Sequence, residues 1–122
     1  MSLDGEVKVV RTEDVPPVTP FQCTVHGFKV RRLITKKRLG SEKLTLGISY
    51  VDPGCKGYRW TFKDNDEVYY VLKGKITLHY GDRTVDAQEG DAVLLPSGVN
   101  YELDNAGTEA AMIVYVLAPP KE

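Results

Sequence analysis

Gly54-Cys55-Lys56-Gly57-Tyr58-Arg59-Trp60-Thr61-Phe62-Lys63-Asp64-Asn65-Asp66-Glu67, followed after six residues by Gly74, has the spacing G-x5-W-x-F-x4-E-x6-G. Within it Tyr58, Trp60 and Phe62 alternate with Arg59, Thr61 and Lys63, the period-two pattern of a strand with one apolar face. Val68 to Leu72 and Lys75 to Tyr80 read as further strands around the Lys73-Gly74 corner. A second spaced set follows: Gly90 through Pro96 and Gly98 to Tyr101 and Asn105, or G-x5-P-x-G-x2-Y-x3-N. Its glycines and proline mark corners where the chain needs a positive or a fixed φ.

Outward from this centre the same signals recur. Glu6 to Thr12 reads as a short strand. Val15-Pro16-Pro17-Val18-Thr19-Pro20 then forms an extended arm, its prolines unable to donate to a ladder. Phe28 to Thr35 and Lys43 to Val51 are strands joined by the polar turn Lys37-Arg38-Leu39-Gly40-Ser41. Gly81-Asp82-Arg83 is a hairpin signal, Thr84 to Ala87 leads to Glu89-Gly90-Asp91, and Ala92 to Leu95, Tyr101 to Leu103 and Ala110 to Leu117 complete the set. About ten short strands without a helical stripe predict an all-β fold, a barrel of the jelly-roll kind.

A chain of 122 residues and 13.6 kDa has room for one domain. Residues 1–20 are expected to be a strand and proline-rich arm, and residues 21–122 the barrel. Sixteen Lys and Arg stand against 17 Asp and Glu, which leaves no broad field to draw nucleic acid or anionic membrane. No apolar run is long enough to span a bilayer, and the expected location is the cytoplasm. Cys23 and Cys55 lack the close second ligand of a zinc site and read as two thiols of a reducing compartment.

The two spaced sets resemble the paired motifs of the cupin family, G-x5-H-x-H-x3-4-E-x6-G and G-x5-P-x-G-x2-H-x3-N, over residues 44 to 117. The resemblance implies a single-domain cupin, a double-stranded β-helix or jelly-roll barrel. In that family two histidines and a glutamate of the first motif and a histidine of the second hold a metal. The matching positions here are Trp60, Phe62, Glu67 and Tyr101. Indole and phenyl rings cannot replace imidazole nitrogens, so neither metal nor other cofactor is expected. Should the shorter spacing apply, Thr61 and Lys63 would face inward instead, against the apolar alternation. His79, alternating with Ile76, Leu78 and Tyr80, is expected to point to solvent, and His26 lies in a turn.

What remains is a barrel mouth walled by Trp60, Phe62 and Tyr69, with Leu103 and Met112 completing the lining. Glu67 and Tyr101 are its polar groups. Such a pocket suits a small, partly apolar or cationic metabolite bound without metal. Desolvation of Glu67 would alternatively suit it to acid/base work with Tyr101, as in an isomerase, epimerase or lyase. Two further readings stay open: a metallo-cupin with atypical ligands, oxygenase-like, and aromatics that merely fill the barrel. Arg59-Trp60-Thr61 with Asp66-Glu67-Val68 is similar to the cupin of ethanolamine-utilization operons, which also lacks the histidine pair. Lys29 to Arg38 packs six basic residues into ten, able to grip an anionic ligand or RNA, or simply to form a solvated strand pair and turn. A homodimer through the amino-terminal strand and an outer barrel face is expected.

Overall fold

The computed structural model describes residues 5–20 and 27–121. Cys23 and His26 lie outside the described residues, as does the side chain of Tyr58. Among the described residues nine strands form: β1 (Phe28–Ile34), β2 (Thr45–Val51), β3 (Lys56–Thr61), β4 (Asp66–Lys73), β5 (Lys75–Tyr80), β6 (Arg83–Gln88), β7 (Ala92–Leu95), β8 (Asn100–Asp104) and β9 (Ala111–Ala118). They make a five-stranded sheet in the order β1-β2-β9-β4-β7 and a four-stranded sheet in the order β3-β8-β5-β6. Every strand pairing is antiparallel. This is the jelly roll expected from the spacing.

Alternation decides which side chains meet between the sheets. In β2, β4 and β9 the buried positions are Thr45, Gly47, Ser49 and Val51, then Glu67, Tyr69 and Val71, then Ala111, Ile113, Tyr115 and Leu117. From the second sheet Ile76, Leu78, Tyr101 and Leu103 face them, each at most 2% exposed. The apolar members of this set belong to one core cluster, whose burial holds the barrel closed.

The motif asparagine closes one end of the barrel. Asn105, 1% exposed, donates through Nδ2 to the carbonyls of Val51 and Glu109, each at 2.9 Å, and accepts from the Gly107 N–H at 3.0 Å. Its backbone also exchanges bonds with the first motif, Gly54 N–H to Asn105 O and Asn105 N–H to Cys55 O, both at 2.8 Å. Glycine at 57 has a packing reason. A β-carbon there would stand 1.7 Å from the Leu103 carbonyl oxygen, at the bulge where β3 meets β8.

The amino-terminal arm departs from expectation. Residues 6–11 form no strand, and Thr12–Asp14 is a single 3-10 turn. With prolines at 16, 17 and 20 the arm has few donors, and Val18 bridges to the barrel edge at Val30 with both bonds at 2.8 Å. Side chains do the rest. Arg31 Nη1 donates to the carbonyls of Thr12 at 3.0 Å and Val15 at 2.7 Å, and Val15 is buried. Thus residues 12–20 lie on their own barrel. The turn expected after β1 contains one helical turn, α1 (Lys36–Leu39), capped by the Thr35 side chain and ended by Gly40 at φ 72°.

Candidate functional site

A cavity of about 380 Å3 opens between the sheets. Trp60 and Phe62 of the second sheet's edge form one wall, their rings edge to face at 6.2 Å and 72°. Glu67 and Tyr69 from β4, Tyr115 and Leu117 from β9, Ser49 from β2, and Phe28, Val30 and Arg32 from β1 form the others. Val18, Thr19 and Pro20 of the arm and Lys121 complete the lining.

Trp60 and Phe62 thus face the interior. Thr61 instead accepts a bond from Asn100 Nδ2 at 2.7 Å and Lys63 is exposed, so the Thr61/Lys63 register is not adopted. The apolar alternation that favoured Trp60 and Phe62 is the physical reason.

Glu67 is the chemical centre. It is 5% exposed, and Tyr101 Oη donates to its Oε1 at 2.6 Å. Tyr69 Oη in turn donates to Tyr101 Oη at 3.2 Å, the two rings standing edge to face at 6.5 Å. Burial pushes the Glu67 carboxyl up from 4.5 to about 7, against the opposing pull of the Tyr101 and Tyr69 hydroxyls. Near neutral pH it can hold or release a proton.

Three of the expected site residues are placed differently. Tyr101 does not border the cavity; it stands behind Glu67 at 2% exposure, and its hydroxyl proton is committed to that carboxyl. Leu103 is sealed in the core at 1% exposure, two residues on from Tyr101 along the same face of β8. Met112 belongs to the outer face of β9, because Ala111, Ile113, Tyr115 and Leu117 take the inner one. Sequence reasoning missed Ser49, Tyr115 and Arg32, although period-two alternation from Val51, Ile113 and Val30 points to each. Lys121 follows Pro119-Pro120 and carried no such signal.

His79 is not simply turned to solvent. Its Nε2 lies 2.9 Å from Asp104 Oδ2 and its Nδ1 3.1 Å from Thr84 Oγ1, on the outer face of the second sheet. His79, Glu102 and Asp104 place ligand atoms within 4.8 Å of one another. Asp104 Oδ1 already accepts from the Gly57 N–H at 3.0 Å, and Glu102 lies 3.6 Å from Arg59 Nη2. The wall of the barrel separates this cluster from Glu67, so His79 cannot complete a centre there. At the family's ligand positions, the Trp60 and Phe62 rings present no lone pair to a metal and Tyr101 donates to Glu67. These residues do not fit the usual metal centre.

A small jelly-roll barrel with a carboxyl-floored cavity defines a single-barrel protein of the cupin type. Residues 47–117 match the cupin domain family, more than half of the chain, and the protein belongs to it. An uncharacterized protein of Methanocaldococcus jannaschii is 23% identical over 114 residues, 93% of this chain and 90% of that protein. Among solved structures, the polyketide cyclase RemF of Streptomyces resistomycificus superposes with a TM-score of 0.81 at 22% identity, over 92% of this chain and 79% of that one. A Salmonella typhimurium protein described as ethanolamine utilization protein Q gives 0.80 at 24%, over 97% and 90%. The resemblance to ethanolamine-utilization cupins is therefore one of fold. Such identities carry no activity across.

Proposed function

We propose that the cavity binds a small, partly apolar metabolite against Trp60, Phe62 and Tyr115, with Glu67 as its deep polar contact. The observation that carries this reading is a buried carboxyl, poised near neutrality, that opens into an aromatic space of ligand size. Trp60 is the chain's single tryptophan and lines the cavity, so its emission is a local reporter. Titration of a panel of small hydroxy acids, sugars and amines is expected to give a saturable change for at least one class. Trp60→Ala, followed calorimetrically, should weaken binding of that ligand by at least about tenfold through lost aromatic contact. A panel without response, or a Trp60→Ala variant of unchanged affinity, would refute the reading.

The carboxyl also favours a second reading, acid/base catalysis. A group whose ordinary value is 4.5, raised to about 7, is matched to proton transfer at neutral pH. The base is Glu67 and the positioning residue is Tyr101, which orients the carboxyl through Oε1. A bound hydroxy acid or sugar would then exchange a carbon-bound proton with deuterated water, and Glu67→Gln would stop the exchange while leaving the ligand bound. Absence of exchange at any pH would leave binding alone.

A homodimer is part of the proposal. Val68, Tyr70, Leu72 and Leu94 on the outer face of the five-stranded sheet are 39–62% exposed, beside the outward Met112, Val114 and Val116 of β9. Such an apolar patch can cover its own copy about a two-fold axis. Sedimentation is expected to show a dimer that Tyr70→Lys with Leu94→Lys converts to monomer. A monomeric wild-type protein at tens of micromolar would end this part of the reading.

A further inference from the structure

The charges around the cavity are segregated. Glu67 is buried at the inner end, whereas Arg32 is half-buried and Lys121 exposed, both on the cavity wall. Arg32 reaches that wall by alternation: Phe28, Val30 and Arg32 share the inner face of β1, and all three line the cavity. It is therefore the one member of the basic run, Lys29 to Arg38, that borders this cavity. It also borders the groove formed with Thr35, Lys37 and Arg38, which sets two further basic side chains beside it.

The neighbours of Arg32 are suited to the same task. Arg32 pairs with Gly47, and Gly47 with Tyr115, across the first sheet. The Tyr115 ring lies over Gly47, so closely that a β-carbon there would stand 2.5 Å from its hydroxyl. The missing side chain thus lets a phenol hydroxyl extend toward the arginine strand at the cavity wall. Ser49 adds a second hydroxyl from the next inward position of β2. Lys121 is held in place from behind. Its N–H donates to Thr45 Oγ1 at 3.2 Å, and Asn65 Nδ2 donates to the Pro119 carbonyl at 2.6 Å.

We infer that the ligand is an amphipathic anion, whose carboxylate or phosphate is gripped by Arg32 and Lys121 while its uncharged body lies along Trp60, Phe62 and Tyr115 and ends at Glu67. This deepens the binding reading and rests on it. A guanidinium and an ammonium beside hydroxyl donors favour an oxyanion. Two basic side chains on the wall of the same cavity disfavour a cationic ligand, so of the two alternatives the sequence offered, the partly apolar one is carried forward here. The basic run finds here a use other than RNA binding.

Four probes of one shape test the assignment calorimetrically: cyclohexylacetate, cyclohexyl phosphate, cyclohexylacetamide and cyclohexylmethylamine. At least one anion is expected to bind about tenfold or more tighter than the amide, with an advantage that shrinks as salt is added. The better of the two identifies carboxylate or phosphate as the head group. Arg32→Gln and Lys121→Gln should each reduce the anion's advantage and leave amide affinity unchanged, and Arg32→Lys should restore part of it. Amide or amine binding as tight as both anions would overturn the inference. If Trp60→Ala still weakened those neutral or cationic probes, the cavity reading would stand. If no probe binds, or Trp60→Ala changes nothing, the cavity itself is the wrong site and the inference falls with it.

Discussion

Glu67→Gln is expected to gain stability relative to wild type as pH rises from 4.5 to about 7, with a constant difference between the two proteins on either side of that window. The carboxyl lies at about 7 in the folded barrel against 4.5 ordinarily. Between these values the folded state keeps a proton that the unfolded chain has released. The folded state therefore binds more protons, and stability falls as pH rises through that window, then levels off. The full shift corresponds to on the order of 3 kcal/mol, a large share of a small domain's stability. Glutamine keeps an oxygen to accept the Tyr101 hydroxyl but has no charge to desolvate. All other titrating groups are common to both proteins, so the difference between their urea midpoints across pH 4 to 9 isolates Glu67. Parallel pH profiles would mean that the carboxyl is not buried as described.

Gly57→Ala is expected to abolish the folded state or to cost more than about 4 kcal/mol, the range reserved for unavoidable backbone conflict. Its β-carbon would stand 1.7 Å from the Leu103 carbonyl oxygen and 2.8 Å from the carbonyl carbon. Leu103 is 1% exposed and cannot yield without opening β3 from β8. Such opening would also break the Gly57 N–H bond to Asp104, the residue that holds His79. Gly54→Ala provides the contrast. Gly54 has φ 79° but nothing within 4 Å of its added carbon, so only the left-handed penalty of about 1–2 kcal/mol applies. Amide dispersion in NMR spectra and urea unfolding of both variants check the order. Equal losses at the two sites would refute the packing account.

This pair shows how far a linear pattern reaches. Gly54 belongs to the recognisable spacing, yet Gly57, which no motif marks, is the less replaceable. Spacing recorded the corner, whereas the conflict at 57 comes from a strand about 45 residues away in sequence. The same division holds at the cavity. Alternation placed Trp60 and Phe62 on an inner face, because a strand's side chains follow a period of two regardless of partners. It could not say that Tyr101, also inward, would be spent on Glu67, since that bond joins β8 to β4 across the barrel.

Local chemistry thus determined the strands, most corners, the apolar faces and the loss of the imidazole donors, each a property of neighbouring residues. The amino-terminal arm was misjudged for a related reason: its shape follows from Arg31 reaching two of its carbonyls, a contact between segments. Only the tertiary structure decided which inward groups border open space, that Met112 lies outside, and that Arg32 and Lys121 line one cavity with a protonatable carboxyl. Burial, desolvation and cavity shape arise when distant strands close on one another, and no stretch of sequence contains them by itself.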